Sequence, residues 1–225
     1  MTLNKGDFIE INFTGRITDS KEIFDTNTES DAKEAGFNIK EIKPLVLSIG
    51  NKMVPLGLDE DFVGKEVGQA YTVEISPEKA FGKRNSKMVN MIPTKLFHEQ
   101  KIIPERGMQL NLDGQLVKIL SSSAGRTLVD FNNPLAGKNI TYTYTINKKI
   151  DDKDDKVNAL QDFLFRRRFD FTINDDKVTF KVEELYEPTI KIFAPKFEEI
   201  TGLKIETEVV KKEEKKEDKG SIQKL

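Results

Sequence analysis

The chain has 225 residues, of which 37% are hydrophobic, 8% aromatic and 33% charged, the last against about 25% in average soluble proteins. Lys and Arg (36) nearly balance Asp and Glu (38), and the net charge of −2 argues against a dedicated nucleic-acid binder. With no cysteine and one histidine, His98, the sequence excludes disulfides, thiolate nucleophiles, thiolate zinc sites and multi-histidine metal centres. No apolar run approaches the roughly 18 residues of a membrane span. The opening MTLNKGDFIEINF has no apolar core of a signal peptide. A cytoplasmic protein of one or two domains, or three small ones, is expected, with no membrane or nucleic-acid partner.

The first 84 residues read mainly as strands. Phe8–Phe13 and Tyr71–Ile75 alternate apolar and polar positions, with glycines punctuating the turns between. Leu58 and Phe62, four apart, predict one short helix whose apolar face packs on a sheet. Residues 27–43 are polar and irregular and are expected to form a long surface loop. From Asn85 to Asp130 the pattern changes: strands at Met88–Met91, Met108–Leu112, Gln115–Leu120 and Thr127–Phe131, a short helix at Pro93–Phe97, and a hairpin at Asp113-Gly114. A turn, Asn133–Gly137, leads to a strand at Ile140–Ile146.

Asp151–Lys156 is charged without apolar anchors, so a linker and a domain boundary are expected there. Beyond it the periodicity predicts a helix over Val157–Arg167, strands at Phe169–Ile173 and Val178–Val182, a helix over Thr189–Ile200 with Pro195 in its interior, and a strand at Leu203–Val210. Lys211–Leu225 is either a continuing charged helix or a disordered tail. Arg166-Arg167-Arg168 lies between aromatics, but a helix C-terminus favours basic residues in any case. No GxSxG, P-loop, GxGxxG or HExxH motif is present, and neither a metal nor another cofactor is expected.

What stands out is a series of short segments: Ile11-Asn12-Phe13-Thr14-Gly15, Phe24-Asp25-Thr26, Pro44–Gly50, Val54–Asp59, Val63–Gly68, Pro77–Gly82 and Asn133–Gly137. In their order and spacing they resemble the FKBP-type peptidyl-prolyl cis-trans isomerases, specifically the long SlyD-like branch, over residues 4–150. The resemblance implies an α+β fold: an antiparallel sheet wrapped on a short helix (1–84 plus 131–151), a small β-rich insert-in-flap domain (85–130), and outside the resemblance a small α/β C-terminal domain (153–225).

Carried over position by position, the isomerase residues are Asp25, Phe13, Phe24, Phe81 and Tyr142, with Leu45, Leu47, Val54, Pro55 and Leu58 binding substrate. Leu58 forms the pocket floor where many relatives carry Trp; Phe13, Leu47 and Leu58 read equally well as plain core. In the family the position of Pro55 usually offers a backbone N–H to the bound peptide. Proline has none, so either that contact is absent or the segment is shifted. Bacterial SlyD-like relatives often carry His/Cys-rich tails; this sequence has neither residue after His98, so nickel handling is not expected.

In the insert, Met88, Met91, Ile92, Phe97, Ile102, Ile103 and Met108 form a candidate surface for unfolded chains, although so small a unit also needs apolar residues for its own core. The expected function is isomerisation of X-Pro bonds combined with chaperone activity. A holdase or adaptor with weak or no isomerase activity is the alternative. The expected partners are unfolded or partly folded polypeptides, and a second copy docked through the aromatic-rich C-terminal domain.

Overall fold

The computed structural model describes residues 2–38 and 41–210. In chain order the elements are β1 (Phe8–Ile17), β2 (Ile23–Thr26), α1 (Glu29–Glu34), β3 (Leu45–Ser48), α2 (Leu56–Asp61), β4 (Ala70–Ile75), β5 (Val89–Pro93), α3 (Thr94–Glu99), β6 (Gln109–Leu112), β7 (Gln115–Ser123), β8 (Arg126–Asp130) and β9 (Ile140–Ile150). There follow α4 (Lys153–Leu160), β10 (Asp170–Asn174), β11 (Lys177–Val182), α5 (Glu187–Thr201) and β12 (Lys204–Val209). The described chain divides into two compact units at residues 149 and 150.

In the first unit the main sheet has the order β2-β1-β9-β4, and β3 also pairs with β1. Alternation on β1 and β9 sends Ile9, Ile11, Tyr142, Tyr144 and Ile146 to one face, where Leu58 of α2 and Phe62 at its C-terminal cap close the core. The helix sits very near the sheet at Gly57, where a Cβ would stand 2.4 Å from Cγ2 of Ile75.

Residues 27–43 are not wholly irregular, as the sequence suggested. They contain α1, because the Asp31 carboxylate accepts a hydrogen bond from Thr14 Oγ1 and pairs with Arg16 at 3.5 Å, and Ala32 is buried. A polar segment is thus pinned to the sheet by side-chain contacts that local periodicity does not reveal.

Between β4 and β9 the chain builds a second sheet, ordered β5-β8-β7-β6, with α3 on one face. Phe97 of α3 packs with Val117, Ile119 and Val129. The hairpin at Asp113-Gly114 has both residues at positive φ (51° and 82°), the two-residue turn whose twist suits antiparallel strands. The two chain crossings that join this sheet to the main one are stitched together. Asn132 accepts from the Asn85 N–H (2.8 Å) and donates to the Asn85 carbonyl (3.0 Å), while Arg84 grips Asp130 through Nε (3.0 Å) and Nη2 (2.7 Å).

The second unit has a sheet ordered β10-β11-β12, with β11 antiparallel to β10 and parallel to β12. Asp151–Lys156 is not a free linker. Asp152 caps α4, its carboxylate accepting the Asp155 N–H at 3.0 Å, and the acidic residues at 154 and 155 suit the positive end of a helix. The helix continues as a wider π turn to Phe165 and stops at Arg166, whose φ is 53°. Buried Gln161 accepts the Phe169 N–H at 2.7 Å. Helix α5 tolerates Pro195 because it buries Ile190 and Phe197, the latter meeting Phe180 edge-on at 5.8 Å. The charged stretch Lys211–Leu225 lies outside the described residues.

Candidate active site

Four elements bring four aromatic rings together. Phe13 stands on β1, Phe24 on β2, Tyr142 on β9, and Phe81 follows the short 3-10 turn Pro77–Lys79. Phe24 meets Tyr142 edge-on at 5.7 Å and Phe81 edge-on at 5.8 Å, and Phe13 tilts against Tyr142 at 5.9 Å. Gly15 makes this approach feasible. A Cβ there would lie 2.6 Å from Cζ of Phe24 and 2.8 Å from Cε1 of Tyr142, closer than carbon atoms can pack.

Leu47 and Leu58 belong to the buried core, and half-buried Leu45, Val54, Phe13, Phe24 and Phe81 pack against that core. Pro55 stands directly before α2, where its carbonyl accepts from Leu58 N–H (2.9 Å) and Asp59 N–H (3.0 Å). It has no N–H to offer a ligand.

Asp25 faces Gly15 across the β1–β2 ladder. Its residue keeps an exposed side, yet crowding around the carboxyl raises its pKa above the ordinary value, opposed by a hydrogen bond from the Thr26 backbone. The Tyr142 phenol is likewise pushed well above its usual range, first by burial and then by the nearby charge of Asp25. Both shifts mark a poorly hydrated spot, where the electrostatics of the rings and carboxylate are least screened.

Two residues outside the sequence-derived set hold this arrangement. On β1, pairing passes from β3 (Phe8–Ile11) to β2 (Thr14–Arg16), and the Asn27 amide fills the break. Its Oδ1 accepts the Phe13 N–H at 2.6 Å, while Nδ2 donates to the carbonyls of Ile11 (3.0 Å) and Lys43 (3.1 Å). Buried Asp59 fixes the turn that presents Val54 and Pro55, accepting from the Gly50 N–H (2.7 Å) and the Lys52 N–H (2.9 Å). The only local signals were an Asn just after Phe-Asp-Thr and an Asp one residue beyond the buried Leu58.

The insert's candidate residues divide. Met88, Met91 (59% exposed) and Ile103 (72%) are on the surface. Ile92, Ile102 and Met108 are partly buried against the insert core, and Phe97, at 4%, belongs to that core rather than to a surface. The helical period of α3 turns Phe97 inward and leaves its neighbour Leu96 at 50% exposure, an assignment the sequence reading missed. Leu96, Ile92, Leu112 and Phe131 line a groove of about 370 Å³.

The model of the FKBP-type peptidyl-prolyl cis-trans isomerase family matches residues 1–99, and that described as FKBP26, IF domain matches residues 90–135. The short-type peptidyl-prolyl cis-trans isomerase of Methanocaldococcus jannaschii is 32% identical over 64% of this chain and 92% of its own length. The SlyD isomerases of Vibrio cholerae and Aeromonas hydrophila are 32% and 29% identical over 46% of this chain, which spans 53% and 50% of their lengths. With the aromatic cluster seated on an antiparallel sheet closed by one short helix, and a second small sheet between β4 and β9, the chain belongs to the FKBP-type peptidyl-prolyl cis-trans isomerases as a SlyD-like member with an insert-in-flap domain.

Proposed function

We propose that Phe13, Phe24, Phe81 and Tyr142, with Asp25 beside them, cradle the proline of an X-Pro bond and that the insert holds the unfolded chain carrying it. Rotation about the prolyl amide breaks no covalent bond but must lose conjugation, against a barrier of about 18–20 kcal/mol. A dry aromatic cradle disfavours the polar planar amide relative to the twisted, less conjugated one, so binding is strongest part-way through rotation. Leu45, Leu47, Val54 and Leu58 supply apolar contact, and Asp25 interacts with the peptide backbone. The observation that carries this reading is the convergence of Phe24 and Tyr142 on Gly15, with Phe81 packed against Phe24.

Chaperone activity is supported by exposed Leu96 in the lining of the groove of about 370 Å³, and by Met91 and Ile103 exposed elsewhere on the insert. An exposed apolar side chain at a groove offers contact to an apolar segment, and methionine adapts to varied partners. A cytoplasmic location suits the cysteine-free composition. Pairing of two copies through the C-terminal unit is part of the same reading, supported by Leu185 and Ile192 standing exposed near and on α5. Light scattering of the full chain and of Ile192→Asp tests it.

The missing N–H at Pro55 favours one competing reading, a holdase with little isomerase activity. A protease-coupled assay on an Ala-Leu-Pro-Phe peptide separates the two. Acceleration above the uncatalysed rate supports the isomerase, and an uncatalysed rate together with suppressed client aggregation supports the holdase.

A further inference from the structure

A cleft of about 650 Å³ runs between the main sheet and the insert, and Phe24 lines it. The same ring touches Phe81 and Tyr142, so the cleft borders the aromatic cluster at Phe24. Its opposite wall is β7. There Ile119 turns into the insert core, Val117 belongs to that core and also borders the cleft, and Leu116, Lys118 and Leu120 lie along it. Leu116 is 46% exposed, on the face where a strand ordinarily carries polar side chains. The volume falls within the range of ligand clefts, about 300–1,000 Å³.

The charges along the cleft are uneven. Arg84 and Asp130 neutralise one another at 2.7 Å. That leaves Lys118 and Lys138 against Glu22, an excess of positive charge beside an apolar floor. Resting on the isomerase reading above, we propose that this cleft binds the stretch of client flanking the isomerised proline and selects an apolar residue accompanied by an acidic one. Leu116, Leu120 and Leu135 take the apolar side chain, while Lys118 and Lys138 attract the carboxylate. A client is then held at the cradle by its neighbouring residues, which raises the local concentration of its X-Pro bond.

The test uses the full chain and peptides with a central Leu-Pro bond. Each end carries a four-residue tail containing leucine and two Glu, two Gln or two Lys; the tail-free tetrapeptide serves as reference. Affinity is read by fluorescence anisotropy and turnover by the coupled assay. At ~50 mM salt the Glu-tailed peptide should bind about three- to tenfold tighter than the Lys-tailed one, the gain expected of two exposed ion pairs. The gap should narrow at 0.5 M salt, where screening shortens the reach of charge. K118E/K138E should reverse the order. Equal affinity for the three peptides, or a Glu preference that survives in K118E/K138E, would overturn the proposal. Because affinity is measured apart from turnover, tail-dependent binding without any turnover would sink the isomerase reading and leave the cleft standing.

Discussion

Gly15 and Tyr142 are in contact that leaves no room for a side chain: a Cβ on residue 15 would sit 2.8 Å from the tyrosine ring, and 2.6 Å from Phe24 beside it. Gly15→Ala must therefore push two rings of the aromatic cluster apart. Overpacking of this kind costs about 1–3 kcal/mol of stability. Misplacing the rings should also lower kcat/KM on the tetrapeptide by at least about tenfold. Thermal unfolding and the coupled assay read the two effects, and unchanged turnover in Gly15→Ala would remove the cradle assignment.

Asn27 predicts a different pattern. Its amide replaces strand pairing on either side of Phe13, so Asn27→Ala strands the Phe13 N–H and two carbonyls. The expected loss is about 1–3 kcal/mol in denaturant unfolding. Turnover should fall too, because Phe13 loses its backbone anchor. Asn27→Asp keeps the acceptor but not the donors and should lie between.

Asp25 gives a pH signature. Its pKa is raised in the folded protein, so the folded state binds more protons than the unfolded one between the two values. Wild-type stability should decline as pH climbs from the ordinary aspartate value through the raised one, whereas Asp25→Asn should lack that decline. Removing the charge should also bring the Tyr142 phenol down from its raised position, since Asp25 contributes to it after burial. Denaturant midpoints across acidic pH and an ultraviolet titration at alkaline pH check both directions.

Leu96→Asp tests the groove of the insert. The side chain is half exposed, so the fold should persist while an apolar contact with clients is lost. Losing that burial should weaken capture of an unfolded chain by about 1–2 kcal/mol, roughly five- to thirtyfold. Aggregation suppression reads it, with tetrapeptide turnover as the control.

Much of this was legible in the chain. The alternation of Phe8–Phe13 and Ile140–Ile146, the pair Leu58 and Phe62, and the turn at Asp113-Gly114 are local signals, and the strands, helix and hairpin formed where they pointed. The aromatic positions were readable only as a set, through their resemblance to a family, since nothing local to Phe24 or Tyr142 says that they meet. What escaped depended on distant partners or on one residue of phase. Helix α1 needs Thr14 and Arg16. Asn27 matters because β1 changes partners beside it. Asp152 reads as part of a charge run until its carboxylate is seen capping a helix. Phe97 and Leu96 exchange roles because the phase of a one-and-a-half-turn helix cannot be fixed from six residues.

The place of β9 has a consequence for how the protein is made. This strand lies in the middle of the main sheet, between β1 and β4, yet it is the last strand of that sheet in the chain. Everything before it leaves the ribosome with a gap where the centre should be. The insert is complete at Asp130, all four of its strands local to one another. The insert is therefore ready to fold first, and the aromatic cluster closes only when Tyr142 arrives. With Asn85 and Asn132 already joined, the link from β4 to β9 shortens to residues 76–85 and 132–139, so the late strand has less loop entropy to lose.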